Sequence, residues 1–151
     1  MTAATISEII QRDLDRLKKE IMSYRDEANI WRTDKGIANS AGNLCLHLVG
    51  NLNTYIGDVL GGTGYVRERD LEFSRKNVPR TELAGMIEVT IAVVAVSLKD
   101  FSAAQMDAEF PTQVFDRKTT TEYMLIHLAS HLGYHLGQVN YHRRLLDLDG
   151  N

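Results

Sequence analysis

The run Thr121-Glu-Tyr-Met-Leu-Ile-His127-Leu-Ala-Ser-His131-Leu-Gly-Tyr-His135-Leu-Gly-Gln138-Val-Asn-Tyr-His142 decides how the chain is read. At about 100° per residue, Leu128, Leu132, Leu136 and Val139 form one helical stripe. His127, His131, His135, Gln138 and His142 lie within about 40° of a line beside it. An apolar stripe with a polar line at its edge describes a helix facing the inside of a bundle. Thr119-Thr120-Thr121-Glu122 has the form of a capping box, so this fourth helix is expected from there to about Asp147.

Working outward, three more segments repeat the helical period. The second runs from about Ser40, a suitable N-cap, to Leu60, where Gly61-Gly62 stops it. Its stripe is Leu44, Leu48, Leu52, Tyr55 and Val59, and Asn43, His47, Asn51, Thr54 and Asp58 flank it as a polar line. The third is expected from Pro79 to Ala104, with Leu83, Ile87, Ile91, Val94, Leu98 and Phe101 on one side. Val89 to Val96 is β-branched enough to suit a strand, but the three/four spacing extends beyond it in both directions and favours helix. The first carries Ile6, Ile9, Ile10, Leu14, Leu17, Ile21 and Tyr24 behind a second capping-box pattern, Thr5-Ile6-Ser7-Glu8. Gly61 to Val78 is eighteen residues, long for a connection between helices of a bundle and suited to a crossover along its length. Its Arg67, Glu68, Arg69, Asp70, Glu72, Arg75 and Lys76 read best as a solvated surface, with a ligand-gating loop as the sharper alternative. The expectation is an all-α protein: one four-helix-bundle domain over residues 1–151, with a long crossover between helices two and three.

Composition narrows the functional classes. The 151 residues are 44% hydrophobic and 25% charged, and seventeen basic against twenty acidic side chains leave a net charge of −3. That balance, with no basic run, argues against a nucleic-acid partner. The uncharged, strongly apolar stretch Val89 to Leu98 is about half a bilayer span, so no membrane partner is expected. Residues Met1 to Gln11 lack the basic start and apolar run of a signal peptide, and the lone Cys45 has no partner for a disulfide. Together these point to a cytoplasmic location.

The histidine line carries the chemistry. His131 and His135 stand one turn apart, so both imidazoles reach one ion, and His47 on the second helix is the natural third ligand. His127 does not close with them, because three ligands along eight residues of one helix span about 12 Å. Three imidazoles would leave one coordination position for water or substrate. Asn51, Gln138 and His127 are candidates to orient ligands or face substrate. The plainer reading is that histidine pairs at this spacing arise by chance, and that a buried histidine is usually a hydrogen-bonded core residue. Cys45 and Trp31 read as packing residues.

At these residues the sequence resembles the DinB/YfiT-like superfamily of four-helix metal-binding proteins. The resemblance rests on His131-Leu-Gly-Tyr-His135-Leu-Gly137-Gln138 preceded by His127, and on Asn39-Ser40 leading to Leu46-His47-Leu48. The stretches His47-Leu-Val-Gly-Asn51-Leu and Arg67-Glu-Arg-Asp-Leu-Glu-Phe73 resemble an uncharacterised subfamily of that group. The resemblance implies an up-down-down-up bundle, a divalent site at His47, His131 and His135, and a homodimer. It also implies an enzyme that uses a low-molecular-weight thiol and an electrophile, most simply as a transferase. Zinc or nickel suits three imidazoles and water best, with iron or manganese as further options. A metal-dependent hydrolase is the nearest chemical alternative, and a non-catalytic dimeric metal- or ligand-binding protein the alternative from another class.

Overall fold

In the computed structural model, which describes residues 2–34 and 36–148, the chain is all-α. Six α-helices follow one another: α1 (Ala3–Met22), α2 (Ala41–Leu52), α3 (Arg69–Ser74), α4 (Arg80–Leu98), α5 (Ala103–Asp107) and α6 (Thr121–Leu146). A 3-10 turn, Glu27–Trp31, follows α1, and a π-helical segment, Asn53–Leu60, continues α2. Among the described residues the one β feature is an isolated bridge between Glu109 and Thr120.

Helix starts depart from the sequence expectation for local reasons. Thr2 caps α1 by accepting the N–H of Thr5, which places the Thr5–Glu8 pattern inside the helix. Starting there adds a turn that buries Ala3 and Ile6. At α6 the cap is Thr120, whose hydroxyl accepts the N–H of Tyr123, so the Thr119–Glu122 box is displaced by one residue. The bridge explains the displacement: the Thr119 carbonyl accepts from the Phe110 N–H at 2.8 Å, and the Thr121 N–H donates to the Ala108 carbonyl at 2.9 Å. The helix cannot begin until the chain leaves that pairing. Ser40 does cap α2, accepting from the Asn43 N–H. The third expected segment ends at Leu98 rather than Ala104, because Ser102 and Gln105 form a capping box that starts α5. The β-branched run from Val89 to Val96 is helical.

The π-helical continuation of α2 rotates its faces. Where it begins, the Asn53 and Thr54 side chains return to the Val49 and Gly50 carbonyls at 2.8 and 2.7 Å, competing with the regular helical ladder. A π turn takes up more residues than an α turn. The core line therefore runs Leu44, Leu48, Leu52, Ile56, while the expected Tyr55 and Val59 are only partly buried. Asp58 leaves the expected polar line to accept the Gly64 N–H at 2.9 Å.

Packing follows the stripes. Ile6, Ile10, Leu14, Leu17 and Ile21 seat α1 on α4 and α6, and α2 packs on the same two helices while touching α1 little. One hydrophobic cluster runs from Ala3 to Val139. By length and composition the whole of α4 would suffice to cross a membrane, more than the ten uncharged residues suggest. In this fold Leu83, Ile87, Thr90, Val94 and Leu98 give it a buried side, while Val89 and Val96 face outward, 62% and 77% exposed.

The end of α6 is tied to the turn after α1. The Arg32 carbonyl can only accept, so His142 donates to it from Nε2 at 2.8 Å. The His142 Nδ1 then accepts the Tyr24 hydroxyl at 2.7 Å. Asp147 accepts the Arg25 and Asp26 N–H groups and the Asn29 side-chain amide. Gly42 lets the Trp31 ring lie on α2, since a Cβ there would stand 2.6 Å from it.

Candidate metal centre

His47 sits in the buried middle of α2, opposite His131 and His135 on α6. The His131 Nε2 lies 3.2 Å from that of His47 and 3.1 Å from that of His135. A ligand nitrogen from each of the three lies within 4.8 Å of the others. Nitrogens about 2.0–2.1 Å from a tetrahedral ion stand about 3.3–3.4 Å apart, so the two spacings from His131 are compatible with one ion.

The partners on the far sides of the rings point the same way. The His47 Nδ1 lies 3.0 Å from the Glu72 carboxylate, which can only accept, and the His135 Nδ1 lies 2.7 Å from the Gln138 side-chain oxygen. Both Nδ1 atoms therefore carry the hydrogen, and both Nε2 atoms present a lone pair. His131 has its Nδ1 buried without a partner among the described residues. Its one hydrogen cannot satisfy both its own ring and two facing lone pairs. Three converging nitrogens with one ring orphaned form a donor set that a cation completes.

Charge state agrees. Burial first, then the neighbouring His135 and His47, push the His131 pKa down to about 4. Burial also lowers that of His47, against the pull of Glu72. Both rings are thus neutral at neutral pH, the state in which imidazole binds metal.

Residues 4–150 match a family described as proteins of unknown function, DUF1572. The chain belongs to the DUF1572 family. No curated protein matches it.

In this DUF1572 protein the other expected residues fall around the trio. His127 stays apart, stacked at 6.1 Å between ring centres on His131 and edge-on to Phe115 at 4.9 Å. Asn51 lies one turn beyond His47 on α2, and its side-chain oxygen is buried without a partner among the described residues. Gln138 is exposed and bonded to His135. Cys45 is fully buried, and burial pushes its thiol up to about 12, which removes it as a nucleophile.

Sequence reasoning missed Glu72 and Arg67. The linker between the π segment and α4 is not a solvated connection at these positions. Glu72 is 6% exposed, its carboxylate touches His47, and Arg67 grips it with Nε at 2.8 Å and Nη2 at 2.9 Å. The available signal was one acidic side chain set between Leu71 and Phe73, in a stretch otherwise spaced like a surface.

Two cavities adjoin the centre. One of about 490 Å³ runs along α6 beside His135 and Gln138, walled by Leu44, Tyr134, Tyr141 and Leu145, with no acidic or basic side chain besides histidine among its lining. Another, of about 660 Å³, lies where the linker crosses α2 and α4, with Glu72 and Leu71 on one wall and Val49 and Met86 on another.

Proposed function

We propose that this protein is a metal-dependent enzyme of the DinB/YfiT-like kind, which transfers a low-molecular-weight thiol to an electrophile. The observation that carries the reading is the convergence of three histidine nitrogens, with His131 left one partner short. His47, His131 and His135 would hold the ion through their Nε2 atoms. A divalent ion bound there supplies positive charge that lowers the cost of ionising a thiol near neutral pH. Glu72 and Gln138 hold two of the rings, and the Asn51 oxygen offers an acceptor close by on α2. The uncharged cavity beside His135 suits a neutral electrophile. Zinc and nickel fit the donor set best, with iron(II) and manganese behind them.

The same reading takes the four longer helices as an up-down-down-up bundle in a cytoplasmic homodimer. A second copy over the outward side of α4 would cover Val89 and Val96.

The carboxylate seen against the centre, that of Glu72, is already engaged with His47 and Arg67. That observation weakens the hydrolase alternative, which wants a free general base. It also supports, as a second reading, a metal- or ligand-binding protein without turnover. Metal content per chain, measured by elemental mass spectrometry on tag-free wild type and His135→Ala, tests the centre. About one transition-metal ion in wild type and none in the variant is expected. Multiple turnovers of thiol and electrophile above a zinc-only blank, lost in the His131→Ala, His135→Ala double variant, then separate enzyme from binder.

A further inference from the structure

We propose that Glu72, carried on the crossover linker, is a positioning residue of the metal centre, so that the linker and the ion stabilise one another. The inference rests on the metal reading above. Glu72 accepts the Nδ1–H of His47 at 3.0 Å, which fixes the ring and tautomer and leaves the Nε2 lone pair aimed at His131. A carboxylate behind a ligating imidazole raises its basicity and typically matters about 10–100-fold in metal affinity.

The surroundings are built to hold that carboxylate. Arg67 clamps both of its oxygens. Arg67 Nη2 also lies 3.4 Å from the His47 Nδ1, but the shorter bond, 2.9 Å, goes to Glu72. The Asn43 side-chain amide, one turn before His47, donates to the Glu72 carbonyl at 2.8 Å and the Arg75 carbonyl at 2.9 Å, pinning the linker backbone to α2. The Phe73 ring packs on His47 at 5.1 Å. Gly50 completes the arrangement, because a Cβ there would occupy the place of the Glu72 carboxylate. Coupling between binding events is reciprocal. If the docked linker strengthens metal binding, the metal must strengthen docking of the linker by the same factor.

The test uses the full chain with zinc and cobalt(II) as probes, in wild type, Glu72→Gln, Glu72→Ala and Gly50→Ala. Glu72→Gln keeps an acceptor and loses the charge. Gly50→Ala displaces the carboxylate by a methyl group against the end of a flexible side chain, and so remains informative if Glu72→Ala fails to fold. Zinc affinity by chelator competition should fall about tenfold in Glu72→Gln and nearer a hundredfold in the other two. The visible spectrum of the cobalt protein should change in all three. Zinc should slow hydrogen exchange across residues 67–76 in wild type but not in the variants. Unchanged zinc affinity in the variants, or linker exchange indifferent to zinc in wild type, overturns the role of Glu72. Wild type that binds neither ion overturns the metal reading itself, and the proposal with it.

Discussion

His131 and His142 lie on the same face of the same helix, yet the fold treats them in opposite ways. His142 is 4% exposed and has both nitrogens satisfied, one by the Arg32 carbonyl and one by the Tyr24 hydroxyl. His131 has one nitrogen buried without a partner and the other facing two more imidazole nitrogens. Residue type and helical phase are the same, so neither distinguishes a ligand from a structural histidine. The hydrogen-bond count does. A saturated imidazole joins elements of the fold, and an unsaturated one among like groups is compatible with a bound cation.

The sharpest way to break this contrast is to exchange the consequences of losing each ring. His131→Asn should lower zinc affinity by about a hundredfold or more while costing the zinc-free protein only about 1 kcal/mol, since at most the one hydrogen shared between the facing His47 and His135 nitrogens is lost. Titration against a chromophoric chelator and denaturation in excess chelator measure the two quantities. His142→Ala should do the reverse, costing about 2–4 kcal/mol because Tyr24 and Arg32 are left with buried unpaired groups, at unchanged zinc stoichiometry. Loss of zinc in His142→Ala at temperatures where it is folded would erase the distinction.

Metal removal sharpens the comparison further. Zinc held at about a hundred times its dissociation constant should stabilise the wild type by about 2.7 kcal/mol. Thermal melts should show the same increment in His142→Ala and about 0.4 kcal/mol or less in His131→Asn.

Acid provides a smaller, graded test. In the zinc-free protein the pKa of His131 is pushed down to about 4, and that of His142 is also lowered, in both cases chiefly by burial. An unfolded histidine takes its proton near pH 6.5. The unfolded chain therefore binds more protons below that pH, and stability present above about 6.5 declines as pH falls towards 4. Denaturation at a series of pH values should give a shallower decline in His131→Asn and in His142→Asn than in wild type. The smallest effect, about 1 kcal/mol in urea denaturation, is expected for Tyr24→Phe, which leaves the ring packing and removes one hydrogen bond.

Legibility in the sequence followed the range of the physics. The α6 stripe, the Ser40 cap and the His131–His135 pair depend on residues within a turn or two, and the structure has them as expected. The start of α6 moved by one residue because its preceding strand-like pair forms with Glu109, eleven positions away. The core line of α2 shifted to Ile56 because two polar side chains competed with the backbone at Asn53 and Thr54, a contest that hydrophobic periodicity does not record. Glu72 was hidden by composition. Among six other charged linker residues it looked like surface, and nothing local says that a glycine on another helix keeps a place for it.

By itself, then, the sequence determined which side chains share a face wherever the helix is a regular α-helix, since backbone geometry sets that over a few residues. It thereby marked His47, His131 and His135 as able to act together. Only the tertiary structure decided that they meet, that His142 is satisfied elsewhere, and that a linker carboxylate stands behind His47. Those outcomes depend on contacts between residues tens of positions apart and on the loss of water around them. Burial strips each imidazole of solvent, and the partners that replace the water are assigned by how the helices pack.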